Sequence, residues 1–402
     1  MRRVDAAWLV VLGGISAALH VGKLPPALPV LGDALGVTLL QAGFLLSLVQ
    51  LAGMGLGLLV GLAADGLGLK RTMVGGLLIL SAASLLGGWA REPSMLMALR
   101  AVEGLGFLLA SMPAPGLIRR SVEPRRMNTM LGLWGAYMPL GTALALLTGP
   151  SVIAVGGWPS WWWLLAAQSA VMAAWLWLGL PPDTKARSHD RSSGSMQRLL
   201  DTLASAGPWL VALSFAVYSA QWLAVIGFLP SMYAQAGVAA SVASVATALA
   251  AAVNMVGNIA SGRLLQRGVR PQRLLYAGFT AMGLGAVIAF APLWEGAGAE
   301  LAPGLRYLAV LMFSMVGGLI PGTLFSLAVQ LAPGERTVST TVGWMQQWSA
   351  MGQFAGPPLV AMVATRAGGW QWSWVVTAAC AMAGLVLAFM TGALLRRAAT
   401  RT

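Results

Sequence analysis

Gly61-Leu62-Ala63-Ala64-Asp65-Gly66-Leu67-Gly68-Leu69-Lys70-Arg71 stands between two long apolar runs of the chain. One acid and two adjacent bases interrupt a stretch otherwise made of glycine, alanine and leucine. Glycine permits a tight turn and lets neighbouring helices approach closely. Asp65 can face the amide end of a helix, while Lys70 and Arg71 belong in water. A short polar turn of this kind is what a hairpin of two membrane-crossing helices needs.

The pattern repeats outward from that turn. Of 402 residues, 58% are hydrophobic and only 9% charged, where a soluble chain carries about a quarter charged residues. The deficit runs along the whole sequence, which excludes a soluble domain on a single anchor. At ~20 apolar residues per crossing, the sequence predicts twelve spans, near 7–31, 40–63, 72–90, 94–118, 128–150, 159–180, 208–234, 241–262, 273–292, 305–331, 339–363 and 371–395. The basic start (Arg2, Arg3) followed by an apolar run imitates a secretion signal. That run continues to Leu31 without a small-residue cleavage site, so it reads as a retained first helix. The single cysteine, Cys380, can form neither an internal disulfide nor a thiolate metal cluster.

Lysine and arginine set the orientation. Of 25 such residues, two lie inside spans, Lys23 and Arg100, and three (Arg91, Arg306, Arg366) fall on one side. The remaining twenty fall at the two ends of the chain and in the even-numbered loops, which predicts both termini in the cytoplasm of an inner-membrane protein. The net charge of +13 is then topological and meets anionic headgroups rather than nucleic acid. The polar stretch from Pro181 to Gly207 reads as a cytoplasmic linker, giving bundles 1–181 and 208–402 joined by 182–207.

The two halves are related. An offset of 201 pairs Trp8-Leu9-Val10 with Trp209-Leu210-Val211, Pro29 with Pro230, and Gly36-Val37 with Gly237-Val238. Later the offset becomes 211 and pairs Arg125 with Arg336, Gly132 with Gly343 and Gly141 with Gly352. Six spans separate the copies, so both have the same topology. This is a parallel repeat about an axis along the membrane normal, with a seam on which two bundles can rock.

With that framework, the Gly61–Arg71 turn resembles the signature loop of the major facilitator superfamily, departing from it in lacking the common arginine at position 66. The resemblance implies an all-α fold of two parallel-repeat six-helix bundles. It also implies a gating role for Asp65, Lys70 and Arg71. Its second copy, Gly262-Arg263-Leu264-Leu265-Gln266-Arg267, has lost the acid. In span four, Leu96, Arg100, Glu103, Gly104 and Gly106 resemble the family's second motif, whose arginine is often linked to proton coupling; Glu103 stands where glutamine is usual. Gly343, Gly352, Gly356 and Pro357 of span eleven resemble an antiporter motif that belongs on span five, and read physically as close packing and a kink. The Gly227-Phe228-Leu229-Pro230 run with Tyr233 is similar to the cyanate/nitroimidazole branch.

Ionisable groups inside a bilayer are costly and face a cavity or a partner. Four occur: His20 and Lys23, then Arg100 and Glu103, each pair spaced i, i+3 and hence on one helix face. At 1.5 Å per residue, Lys23 lies ~12 Å and Arg100 ~9 Å from the outer ends of their spans. The two pairs can therefore meet. A competing reading pairs Arg100 with Glu103 alone and lets Lys23 snorkel outward.

In the resembled fold, spans one, four, seven and ten line a central cavity. That makes His20, Lys23, Arg100, Tyr218 and Gln221 candidate substrate ligands and Glu103 the candidate proton-coupling group, with Tyr137 of span five and Gln346 of span eleven as further candidate ligands. The expected function is a monomeric secondary transporter moving a small, carboxylate-like anion with protons. No cofactor, metal site or catalytic constellation is expected. Two rivals are a proton-coupled drug efflux antiporter and a non-transporting membrane sensor.

Overall fold

The computed structural model describes residues 6–58, 68–123, 130, 134–183, 192–292 and 303–399. Asp65 and most of its loop lie outside the described residues. Every regular element described is a helix, as expected where a bilayer leaves the backbone no water to bond.

Among the described residues, ten helices are long and apolar enough to cross a membrane. Span one is Ala6–Leu35, span two Leu39–Leu58, span three Leu69–Gly87 and span four Pro93–Ser121. Span seven is Ala206–Gln235, span eight Ala240–Gln266, span nine Pro271–Phe290 and span ten Pro303–Gln330. The helix Tyr137–Gly179, 43 residues long, supplies two more spans because it breaks at Gly157, whose φ of 74° only glycine adopts readily. These are span five (137–156) and span six (158–179). Span eleven, Val338–Ala367, is diluted by Gln346, Gln347 and Gln353 and so falls below the apolarity of the ten. Span twelve is Ser373–Ala399.

The repeat is visible as a repeated contact. A methyl group added at Gly141 of span five would meet the Ile15 carbonyl of span one. One added at Gly352 of span eleven would meet the Ala216 carbonyl of span seven. The offsets that align the halves, 211 and 201, carry one pair onto the other. The glycines of span eleven thus act in close helix packing, reinforced by a 2.7 Å hydrogen bond between Ser219 and Ser349.

Contact density divides the chain into two compact units. Unit 1 comprises Met1–Asp190 with Ile226–Ala252, and unit 2 comprises Arg191–Val225 with Val253–Thr402. The hairpin 226–252 joins unit 1 through span five, where the Ser244 hydroxyl donates to the Leu146 carbonyl at 2.8 Å. That carbonyl is free because Pro150, four residues on, has no N–H to offer it. Span eight is interrupted at Val253, between helices Ala240–Ala252 and Asn254–Gln266.

The polar stretch between the sixth and seventh spans contains a helix, Ser192–Ala204. Met196, Leu199, Leu200 and Leu203 recur at helical spacing there, a period hidden by the polar residues around them.

Candidate functional site

Span one is broken by its own sequence. Its first helix stops at Gly22, Lys23 stands in a turn, and the second helix, Leu24–Leu35, starts with Pro25 and Pro26. Neither proline has an N–H, so the Val21 and Gly22 carbonyls lose their helical donors.

Arg100 of span four fills part of that gap. Its guanidinium donates to the His20 and Val21 carbonyls, and through Nε to the Leu45 carbonyl of span two at 3.1 Å. Nη1 also donates to Glu103 Oε2 at 2.7 Å. The other carboxylate oxygen, Oε1, is paired with Lys23 Nζ. Lys23 donates further to Ser84 Oγ of span three at 3.0 Å and lies over the Trp162 ring of span six. Its backbone carbonyl accepts from Trp161 Nε1 at 3.1 Å.

His20 completes the cluster. Its Nε2 lies 2.7 Å from Ser169 Oγ, and its Nδ1 lies 3.9 Å from Glu103 Oε1 with no hydrogen-bond partner.

The structure thus brings together all four ionisable residues singled out within the spans. They are 0% (His20, Lys23), 1% (Glu103) and 2% (Arg100) exposed, and lie inside unit 1 among spans one, two, three, four and six. Lys23 does not snorkel: it turns inward onto Glu103. Two cations share one carboxylate, which leaves one positive charge in excess when His20 is neutral.

The other candidates are not part of this cluster. Tyr137 stacks on Trp134 at 4.2 Å between ring centroids, and Trp134 lies against Gly14 of span one. In unit 2, Asn254 Nδ2 donates to the Tyr218 hydroxyl at 3.0 Å and to the Ser314 carbonyl at 2.8 Å. Asn258 Nδ2 in turn donates to Asn254 Oδ1. Gln221, the repeat counterpart of His20, is fully buried; its Nε2 bonds the Val217 carbonyl of its own helix and its Oε1 has no hydrogen-bond partner. Gln346 is half-buried on span eleven.

Lys70 and Arg71 begin span three. Lys70 Nζ donates to the Leu180 carbonyl at the end of span six at 2.6 Å and lies over the Trp177 ring. The backbone amides of Lys70 and Arg71 donate to the Asp183 carboxylate at 3.0 and 3.1 Å. Asp183 therefore caps the positive end of span three, and sequence reading missed it. The available signal was an acid directly after Pro181-Pro182 at the foot of a span. Ser84 and Ser169, the hydroxyl partners of the cluster, were missed as well.

A sequence model of the Major Facilitator Superfamily matches residues 10–357. The chain belongs to the major facilitator superfamily. A 2-nitroimidazole transporter of Escherichia coli (strain K12) is 28% identical over 313 residues, covering 71% of this chain and 74% of the relative. The puromycin resistance protein pur8 of Streptomyces alboniger is 32% identical over 220 residues, 54% of this chain but only 40% of the relative's length. Among solved structures, a bacterial homologue of the human lysosomal transporter Spinster superposes with a TM-score of 0.78 over 96% of both chains at 16% identity, which speaks to the fold alone. This facilitator is thus a multi-pass membrane transporter of twelve helices in two parallel-repeat bundles.

Proposed function

We propose that this transporter moves a small, carboxylate-like anion together with a proton by alternating access. The observation that carries this reading is the charge count of the buried cluster, where Lys23 and Arg100 share the single carboxylate of Glu103. An anion arriving beside Lys23 would balance the surplus charge. Ionised Glu103 competes with it for both cations, and a proton on Glu103 removes the competitor. Anion and proton then each raise the other's affinity, and linkage makes the effect reciprocal. Tyr137, Tyr218, Gln221 and Gln346 complete the substrate path in this scheme, and Asp65, Lys70 and Arg71 gate its arginine-rich side. Bundles 1–181 and 208–402 rock about the linker 182–207, with both termini in the cytoplasm of the inner membrane and a monomer as the working form.

The test is thermal stabilisation of purified protein by formate, acetate, nitrate and cyanate at acid and at neutral pH. Wild type should be stabilised more at acid pH. Glu103→Gln should be stabilised equally at both, and more than wild type at neutral pH, because the added anion supplies the missing charge. Lys23→Met should lose the response. If none of these anions shifts the midpoint of either protein at either pH, the anion reading is wrong. The resistance proteins among the relatives favour one rival, proton-coupled drug efflux. It predicts the opposite profile, with stabilisation by puromycin that weakens at acid pH.

A further inference from the structure

The second part of span eight, Asn254–Gln266, has two unlike faces. Asn254, Gly257, Asn258 and Ser261 recur at helical spacing against span ten. Asn254 bonds the Ser314 carbonyl, a methyl at Gly257 would meet the backbone of Met315 and Gly318, and one at Gly322 would meet Ser261. The opposite stripe, Val256, Ile259, Ala260, Arg263, Leu264 and Arg267, lines an open groove of about 460 Å³. Val256 and Ile259 are 54% and 48% exposed there.

Charge runs one way along this groove. Arg263 and Arg267 are four residues apart, hence on one face, and both are exposed. Among the described residues, the salt bridges all belong to the Glu103 cluster and none reaches these two arginines. The segment Gly262–Arg273 holds Arg263, Arg267, Arg270 and Arg273 and no acid. From Val256 to Arg267 the helix rises ~16 Å, about one leaflet of a ~30 Å hydrocarbon core. The apolar foot of the groove therefore lies near mid-membrane when the arginines lie at headgroup level.

We propose that this groove is a site for one anionic phospholipid, with an acyl chain along Val256, Ile259, Ala260 and Leu264 and its phosphate between Arg263 and Arg267. Guanidinium groups match phosphate oxygens in planar, two-pronged hydrogen bonds, and basic pockets on membrane helices favour such headgroups. A soluble phosphate would use only the arginine end. A zwitterionic headgroup would bring a cation of its own toward two arginines. The site lies wholly within unit 2, shares no residue with the Glu103 cluster, and does not depend on what the transporter carries.

The experiment uses the full-length, delipidated protein, with bound lipid counted by native mass spectrometry and stability read as an unfolding midpoint. Phosphatidylglycerol should be retained at least several-fold better than phosphatidylcholine and should raise the midpoint, while inorganic phosphate should not. The Arg263→Gln/Arg267→Gln pair, at exposed positions that leave packing intact, should lose that preference, and Arg306→Gln at the other membrane face should keep it. Ala260→Trp should block retention with both arginines present, which separates a built groove from diffuse charge attraction. The proposal is overturned if the double variant or Ala260→Trp retains phosphatidylglycerol as wild type does, or if inorganic phosphate stabilises as well as the lipid.

Discussion

Two cations on one carboxylate respond unequally to substitution. Lys23→Met removes the surplus charge, keeps an apolar stem over Trp162 and leaves a balanced Arg100–Glu103 pair. Glu103→Gln leaves two buried cations without a counter-charge, and removing one partner of a buried pair costs ~3–5 kcal/mol. Without added anion at neutral pH, Glu103→Gln should therefore lower the unfolding midpoint far more than Lys23→Met. The reverse order would mean that Lys23 is not held through Glu103. The four ionisable residues were legible in the sequence because helix rise and the i, i+3 spacing fix depth and face. Their hydroxyl partners were not. Ser84 and Ser169 look in sequence like Ser121 and Thr148, which spend their hydroxyls on their own helices, bonding the Leu117 and Leu144 carbonyls. Which serine turns outward is decided by what packs opposite it.

At the scale of the element, proline is the recurring device, because each one inside a helix releases a carbonyl that another element can take. Arg100 takes Val21 opposite Pro25, and Ser244 takes Leu146 opposite Pro150. If that account is right, Ser244→Ala should cost ~1 kcal/mol, the net worth of an ordinary hydrogen bond. In a Pro150→Ala background it should cost clearly less, since the alanine brings an amide for the same carbonyl. A double-mutant cycle in reversible denaturation measures this coupling directly, and strict additivity would refute it. The prolines were legible in the sequence; their remote partners were not. The break between spans five and six, expected between residues 150 and 159, falls at Gly157 because that residue holds a positive φ there. The linker helix Ser192–Ala204 is hard to see in the sequence because its four apolar residues stand among polar ones and show only as a helical period.

For the whole molecule, the repeat was legible because it is written in paired glycines and prolines, and close backbone contacts leave glycine little alternative. The association of hairpin 226–252 with unit 1 was not, since it rests on tertiary contacts such as Ser244 with Leu146. By sequence that hairpin belongs to the second bundle. If the bundles alternate as the repeat suggests, residues 226–252 must part from span five once in each cycle. The positions at which the compact units divide, between Val225 and Ile226 and again between Ala252 and Val253, would then close and reopen around it. Leu147 and Val245 are 46% and 56% exposed on the two sides of this contact, so both accept a spin label without disturbing the core. Replacing Cys380, the single native thiol, by serine gives a clean background for cysteines at those two positions. Electron-resonance distances between the labels, taken at acid and at neutral pH, should then fall into two populations, one short and one longer. A single short distance at both pH values would show that the hairpin stays on span five, and the moving boundary would have to run through spans seven and eight themselves.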